Sequence, residues 1–103
     1  MKVGKKMTSI SMQDFNSLRA EKDLAILDIR DTQDFDLRHL ATAQSIPATS
    51  IPGSLNTLDM TKTYYIISYS GRRSEIIANY LTSKGFTAVH VIGGMRALGQ
   101  LAA

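Results

Sequence analysis

Apolar positions recur along this 103-residue chain with two different periods, and the period switches back and forth between them. Thr8-Ser9-Ile10 is a short β-like entry. Ser11 reads as a helix N-cap, with Asp14 three residues on as a weak capping-box partner. Met12, Phe15 and Leu18 follow at helical spacing, which predicts a helix from Met12 to about Ala20. Leu24 to Ile29 is almost continuously apolar, the pattern of a parallel strand covered on both faces. Asp31 or Thr32 is placed to cap a short helix over Gln33 to Leu37. Ser45-Ile46 reads as a brief strand ending at Pro47, and Leu55 to Leu58 as one turn of helix.

Tyr64 to Ser68 is β-favouring and predicts the central strand. Gly71 to Lys84 is the strongest helical segment. Its expected buried face is Ile76, Ile77, Tyr80 and Leu81, and Gly85 is the residue that ends it. Thr87 to Ile92 is β-branched and apolar, hence a strand. Gly93-Gly94 forms a tight turn, after which Met95, Leu98 and Leu101 line one face of a last helix interrupted by Gly99. Strand and helix alternate with short links. That order predicts a three-layer α/β domain with a central, mostly parallel sheet of about five strands. Ala25–Ile29, Tyr64–Ser68 and Thr87–Ile92 are expected to be parallel neighbours, with Gly71–Lys84 packed on them.

Composition adds exclusions. The apolar fraction of 44% and charged fraction of 20% suit one globular domain, expected over residues 8–103. The net charge of +3 is matched in number by Lys2, Lys5 and Lys6 in a basic segment, residues 1–7, which reads as a flexible tail. The rest is near neutral, so no nucleic-acid partner is expected. No apolar run approaches the roughly 18 residues of a membrane span, and no apolar stretch follows the basic start; the expected location is the cytoplasm. With no cysteine, the chain has no disulfide, no thiolate metal site and no thiol chemistry of its own. His90 stands in a strand with no second ligand-type neighbour. No metal and no cofactor are expected.

The chemistry concentrates where the central strand meets the long helix. Ser68 leaves the strand, Tyr69-Ser70-Gly71 turns, and Arg72-Arg73-Ser74 begins the helix. Successive N–H groups at a helix start, with the positive end of the helix dipole, favour an anion. In parallel α/β sheets, ligands sit beyond the carboxyl ends of the strands, and this loop lies there. Tyr69 is placed to line its mouth; Tyr64, Tyr65 and Tyr80 read as core or core edge.

Three blocks carry a resemblance. Leu27-Asp28-Ile29-Arg30, followed by Asp34-Phe35 and His39-Leu40, is similar to the rhodanese-like family's strand ending Asp-x-Arg and its acidic-aromatic pair before Gly-His-Ile. Ser68-Tyr69-Ser70-Gly71-Arg72-Arg73-Ser74 resembles that family's active-site loop Cys-x-x-Gly-x-Arg-Ser. Gly93-Gly94-Met95 resembles its Gly-Gly-Ile. The blocks stand in order across about Ile10 to Leu98, and the chain is identified as resembling a single rhodanese-like domain. Arg38 stands where the family has glycine, Ala41-Thr42 where it has Pro-Gly, and Leu98 where it has tryptophan. Ser68 stands at the catalytic cysteine.

That resemblance implies a fold, a loop and a question about activity. The family's cysteine takes a sulfane sulfur from a donor such as thiosulfate, holds it as a persulfide and passes it to a thiophilic acceptor. A serine hydroxyl forms no persulfide. Related phosphatases of the same topology place five residues between cysteine and arginine; Ser68 and Arg73 enclose four, as in the sulfurtransferases. Two readings follow. In the first, Ser68 marks a non-catalytic module whose loop, Tyr69 to Arg73, binds a small anion such as thiosulfate, sulfate or phosphate, or a protein partner. In the second, the chain works in sulfur transfer through a thiol supplied by a partner. Arg73 matches the family's loop arginine and is the better of the two arginines for an anion; alternatively one is solvated and the other paired with a carboxylate. Asp28, Arg30 and His39 are expected to support the loop.

Overall fold

The computed structural model describes residues 6–101. Five strands form one sheet: β1 (Thr8–Ile10), β2 (Ala25–Asp28), β3 (Gln44–Ser45), β4 (Thr63–Ile67) and β5 (Thr87–Val91). Their spatial order is β1-β5-β4-β2-β3 and every neighbouring pair is parallel. Leu27 pairs with Ile66 and Ile66 with His90, so the three expected neighbours lie side by side. Three helices lie between strands, α1 (Met12–Glu21), α2 (Thr32–Leu37) and α3 (Arg72–Ser83), with 3-10 turns at Ala48–Ser50 and Pro52–Thr57 between β3 and β4, and α4 (Gly94–Leu101) follows β5. The expected turn near Leu55–Leu58 overlaps the end of the second 3-10 turn, which Leu58 caps.

Two apolar layers sandwich the sheet, because successive strand side chains point to opposite faces. Leu27, Tyr64, Ile66 and Ala88 pack with Ala78 and Leu81 of α3. Ile26, Ile67 and Val91 pack with Met12 and Phe15 of α1, and with the partly buried Met95 and Leu98 of α4. Met7, assigned to the basic tail, packs on the first layer; residues 1–5 lie outside the described residues.

The helix ends follow local chemistry. The Asp14 N–H donates to Ser11 Oγ at 3.0 Å, as the N-cap reading predicts. Asp31 occupies the N-cap of α2 without a side-chain cap bond. α3 ends in a Schellman motif: Phe86 N–H donates to the Leu81 carbonyl, Gly85 N–H to that of Thr82, and Gly85 has φ of 95°.

Three expectations are corrected. Of the expected α3 face, Leu81 is buried and Ile77 and Tyr80 pack half-buried on the core, but Ile76 is 66% exposed, and Ser74, Ala78 and Thr82 complete the buried stripe. β5 stops at Val91, leaving Ile92 half exposed. α4 runs unbroken through Gly99, and Leu101 is 47% exposed rather than packed. Leu81→Ala is therefore expected to cost about 2–5 kcal/mol. Ile76→Ala should stay within about 0.5 kcal/mol. Urea unfolding of both variants checks this, and equal costs would reverse the assignment of the face.

Candidate functional site

β4 delivers Ser68 to the carboxyl edge of the sheet, and the chain then turns into α3 through Gly71, whose φ is 97°. Ser68 is 3% exposed. Its Oγ accepts the Gly71 N–H at 3.0 Å and the Ser74 N–H at 3.3 Å, and its hydroxyl donates to Ser74 Oγ at 3.1 Å. The Ser74 hydroxyl in turn donates to the Gly71 carbonyl at 3.0 Å. Two loop N–H groups thus converge on the Ser68 oxygen itself. Those of Tyr69, Ser70, Arg72 and Arg73 have no acceptor among the described residues.

The loop is held from behind by a turn without side chains. Met95 N–H donates to the Ser68 carbonyl and Arg96 N–H to that of Tyr69, both at 2.9 Å. A Cβ on Gly94 would collide with those carbonyls, and one on Gly71 would come within 2.7 Å of Gly93 N. Gly71, Gly93 and Gly94 all have positive φ. The first turn of α4 thereby donates its free N–H groups to the loop backbone.

His90 supports the loop, a role that its sequence context hides. Its ring is 7% exposed on β5, and Nε2 donates to the Gly71 carbonyl at 2.7 Å. With the proton on Nε2, Nδ1 is left to accept from Ser9 Oγ at 3.4 Å on β1. One buried imidazole thus ties the loop to the far side of the sheet. Its only sequence sign is a polar residue in a β-branched strand; its main partner lies 19 positions away.

Asp28 and Arg30 form the opposite support. Asp28 is fully buried and Arg30 is 10% exposed. Arg30 Nε meets Oδ1 at 3.0 Å and Nη2 meets Oδ2 at 2.7 Å, a bidentate pair, and the Arg30 N–H also donates to Oδ1. Hydrogen bonding to Asp28 raises the Arg30 pKa above its ordinary value, against an opposing effect of burial. Nη2 also donates to the Arg38 carbonyl at 2.6 Å, so the pair holds the segment after α2. His39 does not join the loop: its ring stacks on Phe35 with centroids 3.9 Å apart, and Nδ1 meets the Phe35 carbonyl.

Between these supports lies an open cleft of about 800 Å³. Ser68, Tyr69, Ser70, Arg72 and Arg73 form one wall, and Arg30, Asp31, Asp34 and Arg38 face them. Neither Arg72 nor Arg73 is ion-paired among the described residues, so the alternative of a carboxylate partner for one of them finds no support there. Tyr69 is 60% exposed at the mouth. Of the departures from the family pattern, Arg38 lines this cleft, whereas Ala41 lies on other hollows and Leu98 packs in the second apolar layer.

The rhodanese-like domain family matches residues 11–100. Thiosulfate sulfurtransferase GlpE of Pseudomonas fluorescens is 31% identical over 74 residues, covering 72% of this chain and 68% of that protein. YrkF of Bacillus subtilis is 34% identical over 89 residues; the match covers 84% of this chain but only 48% of YrkF. The crystal structure of SSP1007 from Staphylococcus saprophyticus superposes with a TM-score of 0.86 at 35% identity, over 90% of this chain and 94% of that one.

Two outcomes follow from the supports. His90→Leu leaves the buried Gly71 carbonyl without that donor and is expected to cost about 1–3 kcal/mol. The same change should speed hydrogen exchange at Gly71 and Ser74 beyond the global loss; uniform acceleration would deny His90 its hold on the loop. Asp28→Asn leaves Arg30 unpaired in the interior and should cost about 3–5 kcal/mol. A midpoint in urea close to that of the unchanged protein would contradict it.

Proposed function

This chain belongs to the rhodanese-like domain family, and we propose that within it the protein is a binding module without sulfurtransferase activity of its own. The carrying observation is the Ser68 hydroxyl at the centre of the loop's converging N–H groups, in a chain that has no cysteine. Sulfur transfer requires an atom that attacks a sulfane sulfur and then carries it. A thiolate does both; a serine oxygen does neither at neutral pH. Every hydrogen-bond partner of Ser68 Oγ is a backbone N–H or the Ser74 hydroxyl. Among the described residues no imidazole or carboxylate reaches it as a base, which argues equally against a hydrolytic nucleophile.

The ligand class is a small anion such as thiosulfate, sulfate or phosphate. The open N–H groups of Tyr69, Ser70, Arg72 and Arg73, the start of α3 and the unpaired guanidinium groups support it. Each helix-start contribution is typically about 0.3–1 kcal/mol when exposed, so binding is weak and screened by salt. A cytoplasmic setting suits the module, since thiol-bearing partners stay reduced there. A second reading, sulfur transfer through a partner's thiol, draws on relatives such as GlpE that are named as thiosulfate sulfurtransferases.

Thiosulfate–cyanide turnover separates these readings. The protein alone is expected to form no thiocyanate, and Ser68→Cys to gain measurable turnover. Serine and cysteine are close in size, and the two N–H groups already directed at position 68 would stabilise a thiolate. The new thiol should titrate below the ordinary value of about 8.5, read from alkylation rates. Turnover by the unchanged protein would overturn the non-catalytic reading. A folded Ser68→Cys with an ordinary thiol pKa and no persulfide would show a loop unsuited to sulfur.

A further inference from the structure

A small anion does not account for the cleft. Sulfate or thiosulfate displaces roughly two or three waters' worth of space, at about 30 Å³ per water, while the cleft measures about 800 Å³. The remainder is bordered by three large apolar side chains from three different elements. Leu37 at the end of α2 is 85% exposed, Tyr69 in the loop 60% and Ile76 on α3 66%. These are three of the six large apolar residues that stand exposed among the described ones. Scattered exposed leucines need no explanation, but their convergence on one concavity marks an interaction surface.

Charge decides what covers it. The two facing walls differ in sign. The α3 wall carries Arg72 and Arg73, unpaired among the described residues, together with the free N–H groups of the helix start. The α2 wall carries Asp31 and Asp34, with Arg38 beyond them and Arg30 engaged by Asp28. A purely apolar segment would leave the arginines desolvated without partners, which is costly. We propose that the cleft seats an extended segment of a partner protein in which a carboxylate is flanked by apolar side chains. The carboxylate lies against the start of α3, where it meets Arg72 or Arg73, and its apolar neighbours cover Leu37, Tyr69 and Ile76. Exposed aromatic and arginine groups around a concavity are the residue types that dominate binding energy in protein interfaces. The inference deepens the partner-binding part of the reading above and does not require the small anion.

The test uses eight-residue synthetic peptides and the isotope-labelled full chain, with the amide resonances of Tyr69 to Ile76 as the readout. One peptide pool has a central aspartate or glutamate flanked by leucine, phenylalanine or methionine. A second replaces the acids by their amides, and a third replaces the apolar residues by serine. The first pool is expected to shift these resonances, and each matched pool to bind at least about tenfold more weakly. Leu37→Ser with Ile76→Ser should weaken the first pool by a similar factor, and Arg73→Gln should flatten its salt dependence. Met60→Ser, an exposed apolar position that does not line the cleft, should change nothing. Silence from the first pool, equal binding by the amide pool, or indifference to the double substitution would each overturn the proposal. Shifts at these residues that grow with protein concentration alone would give the face to a second copy of the chain and overturn it too. A parallel sulfate titration keeps the two readings apart. Silent sulfate beside a binding first pool sinks the small-anion reading alone, and bound sulfate beside a silent pool sinks the docking segment alone.

Discussion

The contact on which the site depends is between two stretches of backbone. The carbonyls of Ser68 and Tyr69 accept N–H groups from the first turn of α4, at a separation that no side chain at position 94 would allow. Two needs are met at once. The start of α4 has N–H groups with no intrahelical acceptor, and the loop has carbonyls turned away from the sheet ladder. With those carbonyls accepting from α4, the N–H groups of Gly71 and Ser74 turn to Ser68 Oγ. Gly71 completes the arrangement: its positive φ redirects the chain into α3, and its lack of a Cβ lets the Gly93 backbone approach. The His90 and Ser74 bonds to its carbonyl then hold that peptide in one orientation.

The opposite wall is built on a buried charge pair, a different principle with a different cost. Taking Asp28 and Arg30 out of water is unfavourable, and an apolar pair of similar volume is often no less stable. What the pair provides is a fixed geometry. Four donor–acceptor contacts join Arg30 to the Asp28 carboxylate, and a fifth reaches the Arg38 carbonyl, so α2 and the chain after it are tied to the end of β2. The same engagement removes Arg30 from the unpaired cations and leaves Arg38, Arg72 and Arg73 as the arginines lining the cleft without an ion pair among the described residues.

Most of the architecture was legible because it rests on periodicity and on glycine. The continuous apolar run at Leu24–Ile29, the stripe at Met12, Phe15 and Leu18, and the glycines at 71, 85, 93 and 94 each have a direct physical counterpart. The error on α3 arose where polar residues occupy buried positions. Leu81, Ile77 and Tyr80 pack on the core, but Ile76 is exposed, and the buried stripe is completed by 74, 78 and 82. Ser74 and Thr82 can be buried because their hydroxyls donate to the Gly71 and Ala78 carbonyls, and that compensation appears only in three dimensions. His90 was opaque for the same reason, since its partner is a backbone carbonyl and carries no signature. His39 is the converse case. It matches a family block by position, but stacking on Phe35 keeps it away from the cleft.

Ser68 shows how a loop of this family can be satisfied without a thiolate at its centre. An N–H pair directed inward at a helix start needs an acceptor, because leaving buried donors unmet is costly. A thiolate is one such acceptor and a hydroxyl oxygen is another. The hydroxyl has the further capacity to donate, which it uses toward Ser74 Oγ, and the chain of bonds closes at the Gly71 carbonyl. The loop is therefore satisfied internally, with no charge at its centre. That neutrality changes the electrostatics of the cleft. With a thiolate at 68, the converging N–H groups and the nearby guanidinium groups would be partly neutralised from within. With serine, no charge at position 68 offsets the N–H groups of Gly71 and Ser74, whose acceptor is a neutral oxygen.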